Sequence, residues 1–255
     1  MKKKVILISI DGMRSDAFDT CNNPYKEELK KISSYTLTGD TVFPSVTLPC
    51  HMSLFHSVEP MRHGIITNEY VSQVHEIKGL FEVLKDSGKN TAMFFSWGPL
   101  RDVARPASLT YSTFCFEKIE DSDEMMTCDC ERIVEEREPD FVFFYLHNAD
   151  SKGHKSGWMG EEYMQAVCDS LSRAKRIIDK FSSKYDVIIT ADHGGHDRMH
   201  GTREATDMII PMFFIGESFE KGKDLGKISI LDIAPTITKL MEVPSPDDWE
   251  GKPLV

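Results

Sequence analysis

Val5-Ile-Leu-Ile-Ser-Ile10, followed by Asp11-Gly12, is the stretch that decides the fold. A short run of β-branched and aliphatic residues, with Ser9 as its one polar member, reads as a strand covered on both sides, as strands of parallel sheets are. The Asp-Gly step that ends it reads as an exit turn carrying an acid. Two later stretches repeat the pattern: Phe141 to Leu146 leads through His147 to Asp150, and Val187 to Thr190 runs into Asp192-His193. Working outward, strands are expected at Val5–Ile10, Thr91–Ser96, Phe141–His147, Val187–Thr190 and Met212–Ile215. Helices are expected between them at Pro24–Ile32, Leu80–Lys85, Asp123–Arg137, Glu161–Tyr185 and Leu231–Met241. The longest has the clearest helical period, with Met164, Val167, Leu171, Ala174, Ile178 and Phe181 recurring three or four residues apart. Such alternation predicts an α/β fold with a mostly parallel central sheet and helices on both faces.

The chain has 255 residues, and 30 Lys+Arg against 41 Asp+Glu leave a net charge of -11. That balance lacks the basic stripe that neutralises a phosphate polymer, so no nucleic-acid polymer is expected as a partner. At about 150 residues per domain the length admits one large domain or two small ones. With no repeat, low-complexity tract or Pro/Gly/Ser-rich linker, a single domain over residues 1–255 is expected. The basic start and the apolar run after it resemble a signal peptide, but the run falls short of the roughly 7–15 residues of a secretory core. No stretch approaches the roughly 18 residues of a membrane span. The six cysteines show no zinc-ribbon pairing, so free thiols, a cytoplasmic location and no membrane partner are the expectation. Oligomeric state is left unassigned.

Chemistry collects where the strands end. In open α/β sheets ligands bind beyond the carboxyl ends of the strands, so Asp11, Asp150 and Asp192 are expected to converge although distant in sequence. Asp150 and His154 form a D-x-x-x-H pair, and Asp192-His193-Gly-Gly-His196-Asp-Arg-Met-His200 packs three histidines into one short loop. Carboxylate with imidazole suits divalent ions such as zinc or manganese, and the absence of cysteine from the cluster favours a catalytic over a structural site. Phe43-Pro-Ser-Val-Thr47-Leu-Pro-Cys-His51 leads into a helix expected from about residue 47 to 57. Thr47 has two readings there. One is a helix cap; the other is a nucleophile, placed where backbone N–H groups and the helix dipole favour an alkoxide and a phosphate.

Asp11-Gly-Met-Arg, Pro44-Ser-Val-Thr47-Leu-Pro-Cys-His51, His63-Gly-Ile-Ile-Thr-Asn68, Asp150-Ser-Lys-Gly-His154 and Asp192-His193-Gly together resemble the nucleotide pyrophosphatase/phosphodiesterase branch of the alkaline phosphatase superfamily. His200-Gly-Thr-Arg-Glu is similar to the metal-binding segment of the superfamily's phosphopentomutases. Asp232-Ile-Ala-Pro-Thr-Ile, with Gly251-Lys-Pro-Leu254, resembles its C-terminal helix and tail. The resemblance implies a three-layer, alkaline-phosphatase-like fold without a large inserted cap domain. It also implies two divalent metal ions, zinc first and manganese second. Asp11, Thr47, Asp192 and His193 would hold one ion; Asp150, His154 and His200 would hold the other. His196 is the rival for the last place, and His200 is preferred because Gly-Thr-Arg-Glu follows it. Asn68 matches an asparagine that donates to a phosphoryl oxygen, with a plain turn residue as the simpler reading.

The activity implied is hydrolysis of a phosphodiester or pyrophosphate bond in a small phosphate ester. Thr47, its proton affinity lowered by a divalent ion, would attack phosphorus and form a covalent phospho-threonine, while the second ion faces the leaving oxygen. Two divalent ions outweigh three aspartates, which reconciles an acidic protein with an anionic substrate. The alternatives are a phosphomonoesterase, phosphonate hydrolase or phosphomutase on the same site, favoured by Arg203-Glu204, or a non-catalytic metal- or phosphate-binding protein, disfavoured by the complete ligand set. A sulfatase is disfavoured too, since its nucleophile derives from Cys or Ser. Leu48 and Cys50 depart from the nucleotide-hydrolysing relatives, in which an aromatic residue commonly follows the nucleophile, and this weakens a nucleotide preference. Trp97 in Ser96-Trp-Gly-Pro resembles a displaced W-P-G turn, to be read as a pocket or a turn residue. Arg14, Asp16, Asp197 and Arg198 receive no role.

Overall fold

The computed structural model describes residues 4–119 and 121–255. Its strands are β1 Lys4–Ile10, β2 Ser34–Asp40, β3 Thr91–Phe95, β4 Tyr111–Phe114, β5 Phe141–Leu146, β6 Tyr185–Thr190 and β7 Ile209–Ile215. They form one seven-stranded sheet in the order β2-β7-β6-β1-β5-β3-β4. β6, β1, β5, β3 and β4 run parallel, while β7 lies antiparallel to both β6 and β2. The expected mostly parallel sheet is therefore present, with an antiparallel margin. β3, β5 and β6 are buried along their whole length and β1 at all but its first residue, which is why these strands read as unbroken apolar runs.

Helices form two groups, one per face of the sheet. Ser15–Thr20, Tyr25–Ile32 and Ser122–Arg137 pack against Glu161–Phe181; Thr47–His56, Leu80–Asp86 and Ile233–Leu240 pack on one another. The long helix stops at Phe181, not at Tyr185 as its period predicts. Tyr185 opens β6 instead, with its hydroxyl donating to Pro139 O at 2.9 Å. Strands β2 and β4 were not expected. The residues after Ile233–Leu240 fold back over it: Asp232 accepts the Lys252 N–H at 2.8 Å and Thr236 Oγ1 accepts that of Leu254 at 3.1 Å. Among the described residues, no helix is long and apolar enough to cross a membrane.

The register fixes what happens at the carboxyl edge. Ile10 pairs with Leu146 on β5 and Ser9 with Thr190 on β6, so three adjacent strands release their chains at the same level. Strands in a sheet lie about 4.8 Å apart. The acids that follow β1, β5 and β6 are thus brought side by side by the sheet itself.

Candidate active site

The loop after β1 is held from two sides. Gly12 adopts φ +68°, and a Cβ there would stand 3.1 Å from both Cα and Cβ of Asp150, so only glycine lets the first acid loop lie against the second. The Gly12 carbonyl accepts the Trp158 indole N–H at 3.0 Å and the Tyr163 hydroxyl at 2.9 Å. Arg14 leaves the same loop and donates to Gly195 O at 2.9 Å, tying it to the loop after β6. Asp11 itself is buried, and its Oδ2 accepts the Tyr145 hydroxyl.

Asp150 and His154 lie on the helix Asn148–Ser156, and their spacing of four puts them on one face. The start of that helix is capped from a distance. Asp123, wholly buried in the first turn of Ser122–Arg137, accepts the N–H groups of His147 at 2.9 Å and Asn148 at 3.1 Å. His154 donates Nδ1–H to Arg198 O at 3.0 Å, which turns Nε2 toward Asp150 Oδ1, 3.5 Å away.

The histidine-rich loop after β6 divides its imidazoles between two tasks. His193 donates Nδ1–H to Gly194 O at 2.7 Å, and its Nε2 lies 3.4 Å from Asp11 Oδ1 and from Asp192 Oδ2. His200 donates Nδ1–H to Ser45 O at 2.8 Å and points Nε2 at Asp150 Oδ1, 3.8 Å away. His196 instead pairs through Nδ1 with Asp207 Oδ1 at 2.7 Å. The other oxygen of Asp207 accepts the Thr202 N–H and hydroxyl at 2.9 and 2.8 Å. His196 is therefore a strut of the loop, and His200 is the one that joins Asp150 and His154. The Trp158 indole passes closely under this loop: a Cβ on Gly195 would lie 2.3 Å from the ring, and one on Gly153 would lie 2.6 Å from it.

Thr47 opens the helix Thr47–His56, with Val46 as the cap residue and no side-chain cap bond. Its hydroxyl faces His193 Nε2 at 3.1 Å. The capping is done by Asn68, whose Oδ1 accepts the Leu48 N–H at 3.0 Å. The loop bearing Asn68 is shaped by buried His63, which accepts the Ile65 N–H at 3.1 Å and bonds Ser53 Oγ at 2.9 Å. Burial pushes His63 down to about 3 and His51 to about 4, so both are neutral. His51 donates Nδ1–H to Thr47 O at 2.8 Å and accepts the Ser9 hydroxyl at 3.0 Å, bracing Thr47 against β1.

Three buried carboxylate oxygens, Asp11 Oδ1, Asp150 Oδ1 and Asp192 Oδ2, have no hydrogen-bond donor among the described residues. Burial first and the neighbouring aspartates second push Asp11 well upward; burial and then Asp150 push Asp192 up to about 8. Burial, reinforced by His200, drives His193 far below its ordinary value. Unpartnered carboxylate oxygens and neutral imidazoles with inward Nε2 lone pairs are the donor set of divalent cations. Among the described residues two such groups are present, Asp150-His154-His200 and Asp11-Asp150-His193, each with ligand atoms within 4.8 Å of one another. Asp11, Asp150, His154 and His200 line a cavity of about 290 Å³ together with Thr47 and Asn68. Its remaining wall is Trp97, Glu117, His147 and Ser151.

Asp123, Tyr145, Trp158 and Asp207 escape sequence reasoning because each acts from a different element. Only the Gly153 and Gly195 positions hint at the indole between them. All six cysteines are free.

Residues 5–208 match a family described as type I phosphodiesterase/nucleotide pyrophosphatase. Human ectonucleotide pyrophosphatase/phosphodiesterase family member 1 is 24% identical over 216 residues, 74% of this chain and 23% of that protein. The 2,3-bisphosphoglycerate-independent phosphoglycerate mutase of Salmonella choleraesuis is 30% identical over 132 residues, 48% of this chain and 24% of that protein. The chain thus spans about a quarter of the length of these curated relatives. Human ectonucleotide pyrophosphatase/phosphodiesterase 5 superposes with a TM-score of 0.84 at 15% identity, covering 98% of this chain and 97% of that one. The phosphonate monoester hydrolase of Silicibacter pomeroyi gives 0.75 at 13% identity, covering 99% and 76%. These structures share the fold.

Proposed function

The chain belongs to the type I phosphodiesterase/nucleotide pyrophosphatase family, and on that premise we propose that it hydrolyses phosphodiester or pyrophosphate bonds in small phosphate esters, with Thr47 as nucleophile. The observation that carries this reading is the position of the Thr47 hydroxyl, 3.1 Å from His193 Nε2 and in one cavity with unpartnered carboxylate oxygens of Asp11 and Asp150. Asp11, Thr47, Asp192 and His193 would hold one divalent ion and Asp150, His154 and His200 a second, with zinc or manganese fitting the oxygen and nitrogen donors. Bound there, such ions lower the proton affinity of a coordinated hydroxyl and offset phosphate charge.

Thr47 Oγ attacks phosphorus; the Thr–O–P bond forms as the bond to the leaving alcohol breaks, and the alcohol takes up a proton. Water then cleaves the phospho-threonine and the Thr47 hydroxyl is restored. Asn68, its oxygen occupied by the Leu48 N–H, has its amide nitrogen left to donate to a phosphoryl oxygen. The neutral His51 behind Thr47 keeps the helix start seated on β1 while charge develops in front of it. Six free cysteines fit a reducing compartment such as the cytoplasm.

The mutase relative, 30% identical over about half the chain, favours a second reading in which the phosphoryl group on Thr47 is transferred from a monoester. The two are separated by substrate ranking. Metal-loaded protein should turn over bis-p-nitrophenyl phosphate faster than p-nitrophenyl phosphate, and Thr47→Ala should remove roughly a thousandfold or more of kcat with the fold kept. The opposite ranking would replace the diesterase reading with the monoester one.

A further inference from the structure

We infer that the stack of Arg203 on Phe43 is a clasp that holds the nucleophile turn against the loop bearing His200, which makes Arg203 a positioning residue although it does not line the cavity. This deepens, and rests on, the reading of Thr47 as nucleophile and His200 as an ion ligand. Two loops meet along a seam here: residues 41–46 join β2 to the helix Thr47–His56, and residues 191–204 follow β6. His200 donates Nδ1–H to Ser45 O at 2.8 Å, and wholly buried Ser45 donates its hydroxyl to Thr202 O, also at 2.8 Å. A Cβ on Gly201, at φ +102°, would stand 3.2 Å from Val46 Cγ2, so the two segments touch without a side chain between them. The outermost rung is the Arg203 guanidinium, its central carbon 3.9 Å from the Phe43 ring centroid. Thr47 directly follows this seam and His200 opens its other side, and both line the cavity.

The two sides are unequally anchored. Thr202 is fixed from below by Asp207, which accepts its N–H and its hydroxyl. Phe43 is 37% exposed, and among the described residues Arg203 is the one cation or ring stacked on it. Arg203 is exposed too, and among the described residues it has no hydrogen bond or ion pair to hold it elsewhere. A guanidinium is planar and weakly hydrated, so it stacks on an aromatic face where an ammonium would keep its water. Opening this rung frees the 43–46 turn to lift, and the lift reaches the Ser45 carbonyl that orients His200 and the Thr47 hydroxyl one step beyond. Arg203 is also a positive charge on the loop that carries His200, and the sign of its effect separates charge from position. Removing a nearby cation should by field alone tighten divalent-ion binding; removing a clasp should weaken it, because ligand orientation is lost.

The test is zinc titration against a competing chelator, beside kcat and KM for bis-p-nitrophenyl phosphate. Arg203→Ala and Phe43→Leu should each weaken the His200-side ion and lower kcat by about two- to fivefold, the worth of an exposed cation–π contact, with KM unchanged. Arg203→Lys, which keeps the charge and part of the stack, should fall between the wild type and Arg203→Ala. The double variant should lose no more than either single one, as for two halves of one contact. Melting temperatures of chelated samples should shift by about 4 °C at most, which keeps every variant folded through the titration. Tighter zinc binding by Arg203→Ala would overturn the inference by making Arg203 a plain source of field. A raised KM with kcat kept would overturn it as well, since Arg203 would then touch substrate, and so would additive losses in the double variant. Weakened, non-additive zinc binding in a protein that hydrolyses no diester would sustain the clasp and sink the hydrolase reading. Turnover of bis-p-nitrophenyl phosphate with zinc affinity and kcat untouched in both single variants would do the reverse.

Discussion

The imidazoles of His193 and His200 stack with centroids 3.8 Å apart and planes 16° from parallel. Each ring spends its Nδ1–H on a backbone carbonyl, so the stack presents two Nε2 atoms, one toward Asp11 and Asp192 and the other toward Asp150. Two protonated rings at that separation would repel strongly in a buried setting. The stack is the joint between the two ligand groups.

His200 and His196 therefore separate experimentally. His200→Ala should lose one of two bound divalent ions, or weaken it about 10–100-fold. His196→Ala should retain both ions and instead cost about 1–3 kcal/mol, because buried Asp207 loses its imidazole hydrogen-bond partner. Elemental analysis with thermal melts reads both effects. Loss of an ion from His196→Ala alone would exchange the two assignments.

Asp123 acts on the site through backbone. Asp123→Ala leaves the His147 and Asn148 N–H groups unpaired at the start of the helix that carries Asp150 and His154. The expected cost is about 1–2 kcal/mol of stability, together with weaker binding of the ion those two residues hold. Metal titration should show the Asp11-side ion, whose ligand group shares only Asp150 with that helix, weakened less. Equal weakening of both ions would mean a general loosening of the fold.

Gly195→Ala tests the indole floor. The added methyl would meet Trp158 at 2.3 Å, and the ring cannot retreat because Gly153 lies against it and its N–H is bonded to Gly12 O. Overpacking of this kind costs about 1–3 kcal/mol. The accompanying displacement should lower activity more than Gly88→Ala, an exposed position with φ +72° where an added methyl meets nothing within 4 Å, measured as kcat on bis-p-nitrophenyl phosphate.

Much of the architecture was readable because the informative strands are buried on both faces: β1, β5 and β6 announced themselves as apolar runs, and the acids after them followed. β2 did not, because its inward residues include Ser34 and Thr36, whose hydroxyls donate to the Glu220 and Gly226 carbonyls, so its period is polar. β4, Tyr-Ser-Thr-Phe, is a short edge strand with alternate residues exposed. At the site, residues that point at the cavity sit in local motifs and could be named singly. Those that hold them in place, Asp123 under Asn148 and Asp207 under Thr202, are joined to them only by the fold, and no spacing along the chain encodes that. The helix Asn148–Ser156 was hidden for a related reason, since its cap is supplied by Asp123 from another helix.

Stability should fall with rising pH without divalent ions and not with them. Burial, followed by the charge of Asp150, raises Asp192 from 3.8 to about 8 in the folded protein, and Asp11 is raised as well. A raised folded value means that, between about pH 4 and 8, the folded metal-free protein holds a proton that the unfolded chain has released. Stability from that group is complete below about pH 4 and is lost as pH rises through 8. Cations that pair with the carboxylates remove the need for the proton, so metal-loaded protein should not show this decline, and ion binding near pH 7 should release protons. Melting temperatures measured from pH 5 to 8.5 should therefore diverge between chelated and zinc-loaded samples, with the gap widening toward alkaline pH. Asp192→Asn should flatten the decline in the chelated sample. A gap of constant size across the range would show that Asp192 ionises freely without a cation, and would remove the electrostatic argument for metal at this site.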